Sequence, residues 1–355
     1  LSNNAFSGEI PEELTGLSFA PANNTQGGIS APSRWGLDLC WNAFDPPTDG
    51  MTGFLDQFHH GGSYARCSDP RRPLDPTFSG SWYATERSGE GFAQMLLDNG
   101  QVLLYWFTHR IPAALQPESG EQVWFFGVAD PDHDQVVFES MFINRGRFGQ
   151  GGIERRAVRS DLRLSVSPLP DGSQQAAWSL RWFTSGGFSV VLANHFAGRD
   201  RQVALTRLAG STCHNQHPDQ WISGAWYNPE RDGEGFVVEV NEDGRVIVYW
   251  FTFTPDDSGE QAWLIGERTG PILSDPPGTD IALVFDNLLQ PTGSVLGPDF
   301  DPEAIERDDW GELIMSFSDD QLTGSIQYTS NDPAYGSGSY PIERLARPQL
   351  VTCDG

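Results

Sequence analysis

The chain has 355 residues, enough for two or three domains of ~100 to 200 residues each and for more than one hydrophobic core. Its 48 Asp and Glu face 22 basic residues, every one of them arginine, for a formal charge of −26. That balance repels phosphate backbones and excludes nucleic acid as a partner, and the absence of lysine excludes Schiff-base and pyridoxal phosphate chemistry. The longest apolar runs, such as 102–107, fall far short of the ~18 residues a membrane helix needs, so the chain is expected to be soluble, without membrane insertion. The 39 Gly and 25 Pro, with 12 Trp and 22 Phe, describe a turn-rich chain with aromatic cores, favouring short strands over helices.

Leu1 is not an initiator methionine and no signal peptide opens the sequence, so a processed or cut chain is expected. Residues 1–17, LSNNAFSGEIPEELTGL, carry nearly every framework position of LxxNxFSGxIPxxLxxL and resemble the plant-type leucine-rich repeat. The resemblance implies that Asn4 bonds a neighbouring turn, that Phe6, Ile10, Leu14 and Leu17 fill a solenoid interior, and that Pro11 opens the outer segment. One repeat cannot bury its own apolar face, so further repeats upstream are implied. Residues 37–44, LDLCWNAF, resemble half of the same pattern and suggest a degenerate last repeat or cap.

Cys40, Cys67, Cys213 and Cys353 form an even set with no C-x-x-C, which disfavours zinc and makes disulfides the expectation. The preferred pairing is Cys40 with Cys67 and Cys213 with Cys353; Cys67 with Cys213 and Cys40 with Cys353 is the rival. Either places the chain in an oxidising compartment, secreted or at the bacterial cell surface.

The central feature of the sequence is an internal duplication. Residues 80–108 and 224–252 are identical at fifteen of 29 positions without a gap, and the match resumes at Gly120-Glu121-Gln122 with Trp124 against Gly259-Glu260-Gln261 with Trp263. The copies end alike in Arg207-Leu208 and Arg344-Leu345. A period near 140 residues is that of a small domain rather than a solenoid unit. The expected division is 1–67, a last leucine-rich repeat and cap, then β-domains at 68–212 and 213–355. Asp98-Asn99-Gly100 and Glu242-Asp243-Gly244 supply hairpin turns, setting strands at 91–97 and 102–108 and at 235–240 and 246–252. Further strands are expected at 122–128, 135–143, 162–166, 178–184, 189–194 and 202–208, and at 261–266, 281–288, 311–317, 324–329 and 339–345. About eight antiparallel strands per domain, without an amphipathic helix, point to tandem up-and-down β-barrels or sandwiches, with the barrel preferred.

The order GxWYxPxxxGxGF, WFTY, GxQxW over residues 80–345 resembles a repeat of undescribed function in secreted proteobacterial proteins. Asp299-Phe300-Asp301-Pro302 and Trp310-Gly311 fit its later motif in the second copy, whereas the first copy departs from it between Phe142 and Ser165. The early Trp and final Arg-Leu are loosely similar to avidin-like and lipocalin-like barrels, a likeness at the level of fold.

The sharpest candidate site is Trp82, Tyr83, Arg87, Glu90 and Phe92, repeated as Trp226, Tyr227, Arg231, Glu234 and Phe236. One reading is an aromatic platform with an Arg and a carboxylate, suited to stacking on sugars. The other, preferred, is a core Trp with an Arg-Glu pair bracing the bend at Gly89 and Gly91. Strands 102–107 and 246–251 are apolar on both faces, so their outer faces need cover, by the sister domain, the solenoid or a ligand. Glu86 with Glu90 and Glu230 with Glu234 lie on one turn rather than on opposed walls, a weak basis for glycosidase chemistry. His59-His60 and His214 with His217 lack a third zinc ligand. Asp130, Asp132, Asp134 and Asp256-Asp257 are acidic loops open to calcium, the one cofactor considered, but without EF-hand spacing. The expected function is non-catalytic recognition or adhesion, with a glycan or protein partner. The alternatives are a secreted polysaccharide hydrolase using Glu90 and Glu234, and a purely structural assembly module.

Overall fold

A computed structural model describes residues 7–16, 43–44, 47–58, 78–110, 121–132, 135–167, 177–181, 202–210, 219–241, 243–268, 281–296 and 299–349. All four cysteines, His59, His60, His214, His217, Asp134 and the strand expected at 189–194 lie outside these residues. The chain divides into two compact units, Leu1–Asp75 and Pro76–Gly355.

In the first unit, β1 (Ser7–Gly8) pairs parallel with β2 (Ala43–Phe44), Ser7 opposite Ala43. A 3-10 turn follows β1 at Glu12–Gly16, and α1 spans Asp49–Phe58. Thr48 Oγ1 accepts from Met51 N at 3.3 Å, giving α1 its start. Met51 and Leu55, four residues apart on one face, are its buried residues. The sequence reading did not anticipate this ten-residue helix.

Among the described residues, the strands of the second unit all pair antiparallel, with one isolated parallel bridge at Arg110↔Val295. Its first copy contributes β3 (Gly80–Tyr83), β4 (Gly91–Leu96), β5 (Val102–His109), β6 (Gln122–Ala129), β7 (Pro131–Asp132), β8 (Gln135–Arg145), β9 (Glu154–Ser167), β10 (Ala177–Arg181) and β11 (Gln202–Arg207). They form one sheet in the order β6-β5-β4-β3-β11-β10-β9-β8-β7, and β6 also meets β8 at Phe126↔Phe142. The second copy contributes β12 (Gly224–Tyr227), β13 (Gly235–Val240), β14 (Val246–Phe253), β15 (Gln261–Arg268), β16 (Ile281–Thr292), β17 (Glu306–Phe317), β18 (Thr323–Ser330) and β19 (Ser337–Ala346). These eight close in sequence order into a barrel, β12 pairing with β19. The opening Gly-x-Trp-Tyr of each copy is itself a strand, which the sequence reading left unassigned.

Alternation along β14 separates two cores. Val246, Val248 and Trp250 point into the barrel with Phe236, Leu283, Leu313 and Met315. Ile247, Tyr249, Phe251 and Phe253 point outward, into a second core shared with Leu103, Phe107 and Trp124 of the first copy. The outer faces of the doubly apolar strands are thus covered by each other. Tyr105 stacks on Phe251 with ring centroids 4.9 Å apart, and Phe107 meets Tyr249 at 4.7 Å. No helix among the described residues is long and apolar enough to cross a membrane.

Candidate functional site

Each copy of the duplicated constellation is built the same way. Trp82 and Trp226 are buried, and their indole N–H groups donate to the carbonyls of Phe78 (3.1 Å) and Ile222 (2.9 Å). The arginine of the closing strand lies over each indole, Arg207 at 4.7 Å and Arg344 at 4.1 Å. Phe92 and Phe236 are buried against Trp106 and Trp250, at 5.6 and 5.0 Å. Tyr83 and Tyr227 are half-exposed. The two Trp and two Phe are buried, and Trp226, Tyr227 and Phe236 also border a cleft between the copies.

The Arg-Glu pairs brace the bend. Arg87 Nε donates to Glu90 Oε1 at 2.6 Å, Thr108 Oγ1 donates to Glu90 Oε2 at 2.6 Å, and the carboxylate is buried. In the second copy Arg231 pairs with buried Glu234, which also accepts from Thr252 Oγ1 at 2.6 Å. Burial pushes the Glu234 carboxyl up, opposed by Arg231, by Thr252 and by the Gly149 N–H of the other copy. Glu86 and Glu230 instead sit exposed on 3-10 turns at Thr85–Arg87 and Pro229–Arg231. The sequence-adjacent carboxylates are split between solvent and interior, a different arrangement from two acids facing across a cleft.

Each arginine is then clamped by the sister copy. Phe300 lies 4.1 Å under the Arg87 guanidinium, and Phe148 lies 5.6 Å from that of Arg231, which also covers Tyr340 at 3.9 Å. Phe148 plugs the barrel end, meeting Tyr335 at 4.9 Å and Trp250 at 5.5 Å. Gly89 and Gly233 have φ of +111° and +91°, and a Cβ on either would collide with Ile305 or Ile153 respectively. Here the structure supplies what the first copy was read as lacking. Phe148-x4-Ile153-Glu154-Arg155 and Phe300-x4-Ile305-Glu306-Arg307 share one spacing and dock reciprocally. The signal was in the sequence, hidden by the unrelated residues between the two anchors.

A second reciprocal device uses the GxQxW motif. Trp263 lies beyond the last registered pair of β15 with β16, Ile265↔Leu289, so its backbone needs another partner. Gln122 provides it, accepting from Trp263 N (3.1 Å) and donating to Trp263 O (2.7 Å). Gln261 does the same for Trp124, at 3.1 and 3.0 Å. Each of those tryptophans donates its indole N–H across, Trp263 to Thr108 O at 2.8 Å and Trp124 to Thr252 O at 3.3 Å.

At the same interface Glu239 is buried, with Ser81 Oγ donating to Oε1 at 2.9 Å. Burial pushes its carboxyl up to about 7, against the pull of Ser81 and Arg207. A raised carboxyl favours the neutral folded form, so its contribution is fully present below the unfolded value near ~4.5 and is lost as pH rises through about 7. The loss amounts to about 3 kcal/mol. Glu239→Gln is expected to gain about 3 kcal/mol on the parent in urea unfolding between pH 4 and pH 8; a difference independent of pH refutes the assignment. The first copy carries Met95 at this position.

Among the described residues no cluster of three or more His, Cys, Asp or Glu could hold a metal ion. Asp256 is engaged by Thr254 Oγ1 (2.7 Å) and Ser258 Oγ (2.6 Å), hydrogen bonds that hold its carboxyl below the usual range, and Asp257 pairs with Arg147 at 2.7 Å.

No family model matches the chain, and neither a curated protein nor a solved structure is found to be similar to it.

Proposed function

We propose that this chain is a secreted or cell-surface, non-catalytic recognition or adhesion protein whose partner is a glycan or a protein. One observation carries the reading. The duplicated acids Glu90 and Glu234 are held in ion pairs inside the fold, while the surface between the copies opens a cleft of about 360 Å³ edged by aromatic rings, within the ~300 to 1,000 Å³ typical of ligand sites. The hydrolase alternative needs Glu90 and Glu234 free to exchange protons with a substrate. The assembly alternative needs an exposed apolar strand face, and β5 and β14 cover one another.

The same reading takes both copies as barrels, supported for the first by the β6–β8 bridge, and the first unit as the end of a leucine-rich-repeat region, supported by the parallel pairing of β1 with β2. Export rests on the four cysteines. The test is the full chain incubated with soluble and insoluble polysaccharides with calcium present, recording bound protein and released reducing ends together. Binding without release is expected. Release of sugar overturns the reading in favour of a hydrolase, and absence of both signals removes the glycan and leaves the protein partner.

A further inference from the structure

Building on the recognition reading, we infer that the cleft between the copies binds an uncharged sugar ring, with Tyr105 and Phe126 as its stacking floor and Arg155, Asp232 and Asn144 as its hydrogen-bonding rim. Tyr105 and Phe126 are partly exposed and both line the cleft, their ring centroids 6.2 Å apart, and Phe251 backs Tyr105 from below (4.9 Å, 10°). Such a surface suits the C–H face of a pyranose, apolar on one side and hydroxylated at its edge.

The rim provides donors and acceptors side by side. Arg155 lies 5.3 Å over the Phe126 ring, its Nε donates to Asn144 Oδ1 at 3.3 Å, and its Nη2 stands 3.7 Å from Asp232 of the other copy. Arg155 and Asp232 remain about half-exposed, at 46% and 62%, so both have hydrogen-bonding capacity left for a ligand. Asn144 is buried and donates to Gly233 O at 3.4 Å, which fixes the rim to the second copy. A guanidinium beside a carboxylate and an amide matches neighbouring hydroxyls, each of which both donates and accepts.

Charge selects against an anionic ligand. Arg155 and Asp232 cancel locally, and the chain as a whole carries −26, which opposes the approach of uronic acids or sulfated sugars.

The cleft is also not something the fold imposes. Superposing the shared Phe-x4-Ile-Glu-Arg motifs places Leu296 opposite Asn144 and Arg307 opposite Arg155, and the strand alignment places Ile265 opposite Phe126 and Ser88 opposite Asp232. Tyr249, the counterpart of Tyr105, is fully buried. Phe126, Asn144 and Asp232 are thus found on one side only, whereas Tyr105 and Arg155 recur as Tyr249 and Arg307, the former buried.

The test is calorimetric titration of the full chain with uncharged hexasaccharides (β-1,4-glucose, β-1,4-mannose, β-1,4-xylose, α-1,4-glucose) and with hexagalacturonate as the anionic control. Parent protein is compared with Tyr105→Ala, Tyr105→Leu, Arg155→Gln and the surface control Leu322→Ser. At least one neutral hexamer is expected to bind at least ten times more tightly than hexagalacturonate. Tyr105→Ala and Arg155→Gln are each expected to weaken it tenfold or more, with Leu322→Ser unchanged. Tyr105→Leu keeps apolar bulk for folding while removing the aromatic face, so loss there reports stacking rather than unfolding. Binding retained by the folded Tyr105 and Arg155 variants overturns the cleft while leaving glycan recognition standing. Preference for hexagalacturonate overturns the charge argument, and no heat with any hexamer overturns the sugar assignment.

Discussion

Replacing Glu90 by glutamine is expected to lower the stability of the second unit by about 3 kcal/mol, because the change leaves a largely buried arginine without its counter-charge. The Arg87 guanidinium is only 12% exposed, so water cannot take over the carboxylate's role. Thr108 would still meet an oxygen or amide, and the loss is therefore mainly electrostatic. Thermal melting measures it, with a fall on the order of 5 °C or more. This outcome separates two accounts of the same residues. A pair of catalytic acids predicts lost turnover with an unchanged melting temperature, whereas structural braces predict the reverse.

The second large effect is expected from Gln122→Leu with Gln261→Leu. The change preserves bulk but removes the amides that complete the backbone ladder at Trp263 and Trp124. Two buried backbone groups lose their partner at each site, at about 1 to 3 kcal/mol per group, so a total near 5 kcal/mol is expected after relaxation. Gln290 Nε2, which donates to Gln122 Oε1 at 3.0 Å, loses its acceptor as well. The loss should cross between copies: Gln122→Leu alone, a change in the first copy, is expected to weaken amide protection at Trp263 in the second. Urea unfolding with unchanged midpoint in the double variant would contradict this.

Much of this was legible because strand spacing and duplication are local signals. Hairpins at Asp98-Asn99-Gly100 and Glu242-Asp243-Gly244 followed from turn chemistry, and the apolar faces of 102–107 and 246–251 announced that something covers them. The sister domain was among the covers expected; the residues that join the copies were not legible, because a reciprocal interface is a relation between distant segments. Gln122 looked like a polar residue at the start of a strand; only its distance from Trp263 shows that its amide substitutes for a missing neighbour. Phe148 was obscured for the opposite reason, since two anchors five residues apart suffice to dock the loop and the residues between them are free to differ. Glu239 gave no signal at all, standing in strand register among valines that read simply as half-buried. The helix at Asp49–Phe58 was missed although Met51, Phe54, Leu55 and Phe58 follow helical spacing, because Gly50 and Gly53 within so short a segment argue against a helix.

The cleft follows from the same logic. Trp82, Trp226, Phe92 and Phe236 are buried, and the cleft that the interface leaves open is lined by Tyr105, Phe126, Trp226, Tyr227 and Phe236. The copies diverge at Asn144, Phe126 and Asp232, the residues around which the proposed ligand would sit.

Reciprocal contacts of the duplicated residues join the two copies, and one cooperative body is expected from them. Hydrogen exchange on the full chain, with and without Gln122→Leu, tests it most directly, comparing peptides that span β5 with peptides that span β14. The account predicts one shared opening free energy for both and an equal drop in both on substitution. Separate opening energies, with the drop confined to the first copy, would show two domains that merely adjoin.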